Sequence, residues 1–252
     1  MIQYSKQESE IFGVPFSRLT IDDTFDNWEQ LHHEINQSTS KYIKIKVKNL
    51  GQPQINQLHK LKHKLTLLEV LRVYKTKNLF EIPFVHEHED LITVKATESH
   101  KEELSKFVIE TYNEIPFGNY TPDYLLEIFP IDKQLQCITS YFCDNFIGQY
   151  PDKVAYLYYN QEKKLIGTVI SEHYNEGNGD AGTFPYYLAV ANDERNKGYQ
   201  FKLSNATKLF VMNYGYPYII GSTRLSNSYS AWALEKSGFK CLRHDWIYLL
   251  EK

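Results

Sequence analysis

The chain has 252 residues and a formal net charge of −3. That length holds one or two domains, and the charge excludes a protein whose main task is gripping a phosphate backbone, which needs a strong basic excess; nucleic acid is not an expected partner. No window approaches the roughly 18 to 20 consecutive apolar residues of a membrane span, and the opening MIQYSKQESE has no apolar signal-peptide core, so a cytoplasmic protein without a membrane partner is expected.

In chain order, YIKIKVK at 42–48 alternates apolar residues with Lys, the pattern of a strand with one buried and one solvated face. INQLHKLKHKL, with apolar residues at 55, 58, 61 and 65, predicts a helix, and LLEVLRVYK at 67–75 a second strand. EIPFVHEHED at 81–90 is polar and contains proline, which predicts a linker. ITVKA at 92–96 restarts strand patterning. ESHKEELSKFVIETY then has Leu104, Phe107, Val108 and Tyr112 on one stripe and acidic residues early, as a helix favours. The turn-rich IPFGNYTPDY at 115–124 leads to a helix over 122–147 broken at Pro130. VAYLYYN and LIGTVISEHY predict a hairpin, EGNGDAGT a loop and FPYYLAV at 184–190 a strand. A helix is expected from Tyr199 to Gly215, where a C-cap glycine belongs. YIIGST, SAWALEKSG and WIYLL predict strand, helix and strand, and no internal repeat is visible.

Cys137, Cys143 and Cys241 are sparse and odd in number with no CxxC pair, which fits buried or inert thiols better than disulfides or a zinc site. His59 with His63, and His86 with His88, have spacings that metals use but lack a third ligand in sequence; no metal is expected. The lysines of 43–48 and 60–64 fit solvated faces of a strand and a helix. Aromatic residues make up 15% of the chain, with 20 Tyr, and packing is the expected use of most of them.

The stretch LAVANDERNKGYQFKL at 188–203 carries the chemistry. Arg195-x-x-Gly198, placed after a strand and opening a helix, offers free backbone N–H groups at the positive end of a helix dipole, an anion site to which Arg195 and Lys197 add charge. No G-x-G-x-x-G follows a strand and no P-loop sequence occurs.

The order LAV, Arg-x-x-Gly, long helix, strand, Asn227, short helix, Gly238-Phe239 resembles the C-terminal half of the GNAT acetyltransferase superfamily, over roughly 92–252 and most densely over 188–239. The resemblance implies an α/β protein with the GNAT fold, a mixed and mostly antiparallel central sheet flanked by helices, in residues 91–252, after a smaller N-terminal α/β domain in 1–85. It implies acetyl-CoA as co-substrate, with Leu188, Val190, Arg195, Lys197, Gly198, Tyr199, Gln200 and Asn227 as its contacts. Two positions depart from the family pattern. Gln200 stands where a small residue is usual, and Leu234 stands where many members carry a Tyr as general acid.

ESEIFGVPFSRLT at 8–20, ahead of a small mixed unit, is similar to the two-domain dTDP-amino-sugar N-acetyltransferases, of the dTDP-fucosamine acetyltransferase kind; taken alone, ExxxFG reads equally as a turn. That likeness implies a nucleotide sugar as acceptor, with a lean to a dTDP-3-amino-3,6-dideoxyhexose, and a homodimer is common among such two-domain members. An amine near electronegative ring oxygens needs no strong base, and a thiolate with a thiol pKa near 8.5 leaves with modest help. Holding the reactants together then supplies much of the rate. Leu188 lends its backbone N–H to the thioester carbonyl, and strand alternation puts Phe184, Tyr186 and Leu188 on one face. Tyr186, then His173 beside Glu172, are the candidates for handling the amine proton, each weighed against ordinary packing. Phe117, Tyr120 and Tyr124 are candidates to stack on a sugar or base, or to anchor the loop. Asn227 fits a cofactor contact or a helix N-cap. An acetyltransferase for a peptide or polyamine, and a non-catalytic acyl-CoA-binding module suggested by Leu234, remain the rival readings.

Overall fold

The computed structural model describes residues 2–252 except 23, 83–89, 113, 149–150 and 176–180. The central part of the 81–90 linker, His86 and His88, and most of the EGNGDAGT loop therefore lie outside the described residues. The elements are β1 (Gln3–Tyr4), α1 (Lys6–Phe12), β2 (Phe16–Ile21), α2 (Trp28–Gln37), β3 (Tyr42–Lys48), α3 (Gln52–Leu58) and β4 (Lys64–Thr76), then β5 (Ile92–Lys95), α4 (Lys101–Thr111), α5 (Asp123–Ile128), α6 (Ile131–Phe146), β6 (Lys153–Tyr159) and β7 (Leu165–Asn175). β8 (Ala181–Val190), α7 (Tyr199–Asn213), β9 (Tyr218–Arg224), α8 (Ser228–Lys236) and β10 (Phe239–Glu251) complete the chain.

All ten strands join one sheet in the order β1-β2-β3-β10-β4-β9-β8-β7-β6-β5. Two of its segments repeat: β2-α2-β3-α3-β4 and β8-α7-β9-α8-β10 have the same connectivity, with a parallel first pair in each. When the two are exchanged, the order β2-β3-β10-β4-β9-β8 reads the same from either end. The registers agree as well. Val47 faces Trp246 in one segment and Thr223 faces Arg72 in the other, and each long strand carries one extra residue, Leu68 in β4 and Leu242 in β10. Each segment thus places its last strand inside the other. Strands from both sides of the expected 85/91 division interleave in this way. The repeat escapes the sequence because it lies in connectivity and register, whereas the side chains of the two segments differ.

Helices cover both faces. α2, α3, α7 and α8 pack on one, where Leu31, Ile35 and Leu58 meet Ile43, Ile45 and Val47, and Val211 and Ala231 meet Tyr74 and Ile219. α1, α4, α5 and α6 pack on the other, around Phe12, Phe16, Phe117 and Phe129 and around Leu104, Phe142 and Ile170. The expected mixed, mostly antiparallel sheet flanked by helices is present, and among the described residues no helix is long and apolar enough to cross a membrane.

Several local expectations change. ExxxFG belongs to helix α1, which ends where the Gly13 N–H returns to the Ser9 carbonyl. α2 was not visible as a pattern, although Asn27 caps it by accepting from the Gln30 N–H. The helix expected through Leu65 stops at Leu58, because residues from Lys64 onward enter a 13-residue strand whose ladder with β10 outweighs one more turn of a short helix. β3 is interior, paired to β2 and β10, and its lysine face is half-buried rather than fully solvated, while its apolar face is buried. Cys241 is exposed, whereas Cys137 and Cys143 are buried; burial pushes the Cys137 thiol up to about 12.

Candidate functional site

β8 and β9 run parallel but pair only at Gly182–Tyr218 and Thr183–Ile219, after which they separate. The sequence supplies reasons. Pro185 removes a ladder donor, and Tyr186 is an extra residue on β8, since Ile170 faces Tyr187 while Ser171 faces Pro185. Beyond the bulge the Ala191 N–H donates to the Ile166 carbonyl at 2.8 Å. Antiparallel alternation therefore turns the N–H groups of Leu188 and Val190 to the other edge of β8, into the opening toward β9. The bulge also corrects the expected shared face. Phe184 and Tyr186 lie on the α6 side, where Tyr186 meets Tyr141 and Phe146, but Leu188 and Val190 pack with Leu203 of α7 on the other.

At the top of this opening α7 begins. Asn196 and Gly198 both have left-handed backbone, with φ of 63° and 81°. The N–H groups of Asn196, Lys197, Gly198, Tyr199 and Gln200 donate to no other described group. Five such donors at the start of a 15-residue helix, at the positive end of its dipole, make this turn the candidate anion site. The side chains contribute less charge than the sequence suggests. Arg195 turns back to the carbonyls of Thr111 (3.2 Å) and Val190 (3.4 Å), tying the end of α4 to β8. Lys197 pairs with Glu194 at 2.9 Å, and Lys164 pairs with both Glu194 and Asp193. An open depression of about 550 Å³ lies between α4 and Asn192–Asp193, and the paired Lys164 and Asp193 are among its lining residues, but Arg195, Lys197 and Glu194 are not.

On the α4 side the opening is bounded by a cluster that the sequence reading missed. Arg224, the last residue of β9, donates to the carbonyls of Ile115 (2.6 Å) and Pro116 (3.1 Å), to Asn119 Oδ1 (3.1 Å) and to the Tyr112 hydroxyl (3.3 Å), with its Nε 3.0 Å from Glu114 and 3.6 Å from Glu69. Buried Glu69 of β4 accepts from the Asn119 N–H at 3.1 Å. These contacts hold the loop 112–121 down on β4 and β9. Gly118 makes the approach feasible: its φ is 143°, and a Cβ there would stand 2.2 Å from the Leu68 carbonyl oxygen. A charged residue closing a strand three positions before Asn227 was the one sequence signal for this hub.

The candidates separate accordingly. Phe117 is buried in the aromatic core with Phe12 and Phe129, and Tyr124 bonds to Glu251, so both anchor the loop. Tyr120 is exposed. Tyr186, three residues past the last β8–β9 pair, donates to Glu172 Oε2 at 2.7 Å, with Lys153 3.6 Å from the same carboxylate. Burial and the Glu172 carboxylate both raise the Tyr186 pKa, so the phenol stays protonated at neutral pH. His173 does not face the opening. It lies below the point of separation, bonded to Thr183 and stacked on Tyr216 and Tyr214, and burial lowers its pKa and keeps it neutral. Asn227 caps α8 by accepting from the Ser230 N–H, and Leu234 packs in the core beneath that helix.

No family model and no curated protein matches the sequence. Solved structures do match in fold. A functionally unknown conserved protein from Staphylococcus epidermidis ATCC 12228 superposes with a TM-score of 0.60 over 99% of this chain and 90% of its own, at 11% identity. A tandem GNAT protein from the clavulanic acid biosynthesis pathway gives 0.60 over 94% and 75%, at 8% identity. A putative GNAT-family acetyltransferase from Novosphingobium aromaticivorans DSM 12444 gives 0.52 over 95% and 84%, at 13% identity. The chain has the GNAT fold.

Proposed function

We propose that the protein moves an acetyl group from acetyl-CoA to an amine, and that the acceptor is the ring amine of a dTDP-linked amino-6-deoxyhexose. The observation that carries the transfer is the opening between β8 and β9, headed by the five free N–H groups of residues 196–200. A pyrophosphate suits that turn, and a pantetheine arm suits the inward N–H groups of Leu188 and Val190. The acceptor enters from the α4 side, under the loop that Arg224 fixes. The dTDP sugar rests on the sequence likeness of residues 8–20 to the two-domain enzymes.

The neutral amine attacks the thioester carbon, with the Leu188 N–H stabilising negative charge on the carbonyl oxygen. The C–N bond forms, the C–S bond breaks, and CoA leaves as thiolate to take a proton from water. Tyr186 accepts the amine proton while passing its own to Glu172, which fits a phenol that is held protonated and bonded to a carboxylate. His173 and Leu234 take no part.

Thiol release from acetyl-CoA, measured in parallel with dTDP-3-amino, dTDP-4-amino and UDP-amino sugars, spermidine and a short peptide, tests this reading. Release with a dTDP sugar alone is the expected result. Release with the peptide or spermidine alone moves the acceptor class, and silence with acetyl-CoA bound favours a non-catalytic acyl-CoA module.

A further inference from the structure

The lysines of β3 are absorbed by none of this. A solvated face does not account for them, because all three are half-buried and Lys44 lies with its ammonium 4.7 Å over the Phe117 ring, beneath the loop that carries Phe117. Lys46, Lys48 and Arg243 continue the row upward on the same face. Asp245, directly opposite Lys48 in the ladder and fully buried, binds Arg243 at 2.9 Å and Lys46 at 3.2 Å.

We propose that Lys44, Lys46 and Lys48, with Arg243, form a binding strip for the diphosphate of the acceptor. The proposal rests on the acetyl-transfer reading for the position of the reacting amine and supplies a recognition element for its substrate.

Geometry supports it first. Lys48, Asp245, Leu71 and Arg224 form one row across β3, β10, β4 and β9. Neighbouring strands are about 4.8 Å apart, so the strip begins about 10 to 14 Å from the strand that borders the opening. A hexose with its amine at the opening and its diphosphate met by extended lysine side chains covers that span. Charge supports it second. The carboxylates nearest the strip hold other cations: Glu8 holds Arg18, Glu69 and Glu114 hold Arg224, and Asp245 holds Arg243 and Lys46. Among the described residues no carboxylate lies within ion-pair distance of Lys44 or Lys48, so the strip of Lys44, Lys46, Lys48 and Arg243, with Asp245 as its one paired carboxylate, carries an excess of positive charge on a chain of net −3. Cost supports it third. Burial pushes the Lys44 pKa down to about 8, with Glu8 of α1 opposing and Arg18 of β2 and Arg224 of β9 reinforcing the shift. A desolvated cation without a counter-ion is destabilising, and retaining it is explained by an anion that arrives with the substrate.

The test is calorimetric titration of the full chain with inorganic pyrophosphate, dTDP and UDP, with saturating CoA present to fill the 196–200 turn. The wild type is expected to bind dTDP and UDP, with affinity falling between 50 and 300 mM salt. Lys44→Gln and Lys48→Gln are each expected to weaken that binding about fivefold or more while leaving acetyl-CoA affinity unchanged. Lys48→Gln keeps the test intact should Lys44→Gln perturb folding. No binding of any of the three probes to the wild type, or equal binding to both variants, overturns the proposal. Binding that CoA abolishes also overturns it. Loss of the acetyl-transfer reading would appear elsewhere, as failure of acetyl-CoA itself to bind or as absence of thiol release with every acceptor.

Discussion

The two repeated segments share connectivity and register yet differ in what their parallel strands do. β2 and β3 pair along six residues, Phe16–Ile21 against Tyr42–Val47, whereas β8 and β9 pair along two and then part. The turns above them differ in the same sense. The β8–α7 turn carries two left-handed residues and five free N–H groups, but the β2–α2 turn contains Asp22 and Asp26 and ends on Asn27, whose side chain already occupies the first turn of α2. One fold therefore holds a closed, acidic copy and an open, donor-rich copy. A proline and a one-residue bulge in β8 mark the difference between them. The closed copy contributes by other means, through β4, which supports the loop held by Arg224, and β3, whose lysines line that side.

The largest disruption of this relationship is removal of the closed copy. Residues 91–252 expressed alone lose β4 from between β9 and β10 and are expected to show no cooperative thermal transition; a sharp transition near that of the whole chain would show the halves to be independent. Next comes Arg224→Met, which strips buried Glu69 of its cation and frees the acceptor loop. A loss of about 3 kcal/mol in denaturant unfolding is expected, with acetyl-CoA affinity changed far less than acceptor KM. Gly198→Val forces a β-branched residue into left-handed backbone at the head of the opening and is expected to weaken acetyl-CoA binding at least tenfold by calorimetry. In the closed copy, Asn27→Ala should cost about 1 kcal/mol in unfolding and leave acetyl-CoA affinity unaltered.

Lys44 sharpens the comparison through pH. Its folded pKa lies near 8, below the unfolded value, so the unfolded chain binds more protons between pH 8 and about 10.5 and stability from this group rises through that window. Below pH 8 the penalty is fully present. Lys44→Met is accordingly expected to raise the Tm at pH 7 and to raise it by less at pH 10; an equal change at both values would show that Lys44 carries no such penalty.

Much of the open copy was legible in the sequence. The strand at 184–190, the Arg195–Gly198 turn and the helix ending before Gly215 follow from local pattern and glycine placement. The bulge was not legible, because Tyr186 and Tyr187 both suit either face of a strand, and it alone moves Leu188 to the α7 side. His173 was misread since a histidine beside a glutamate looks reactive in sequence, while its stacking partners Tyr214 and Tyr216 stand some forty residues away. The Arg224–Glu69 hub joins residues 155 positions apart, and the interleaving of β4 and β10 is a matter of long-range register that no local pattern records.

The central claim is that one copy binds acyl-CoA and the other does not. Calorimetric titration of the full chain with acetyl-CoA tests it most directly. One molecule bound per chain, with binding weakened at least tenfold by Gly198→Val, is the predicted result; two molecules per chain, or one that is indifferent to Gly198→Val, would contradict it.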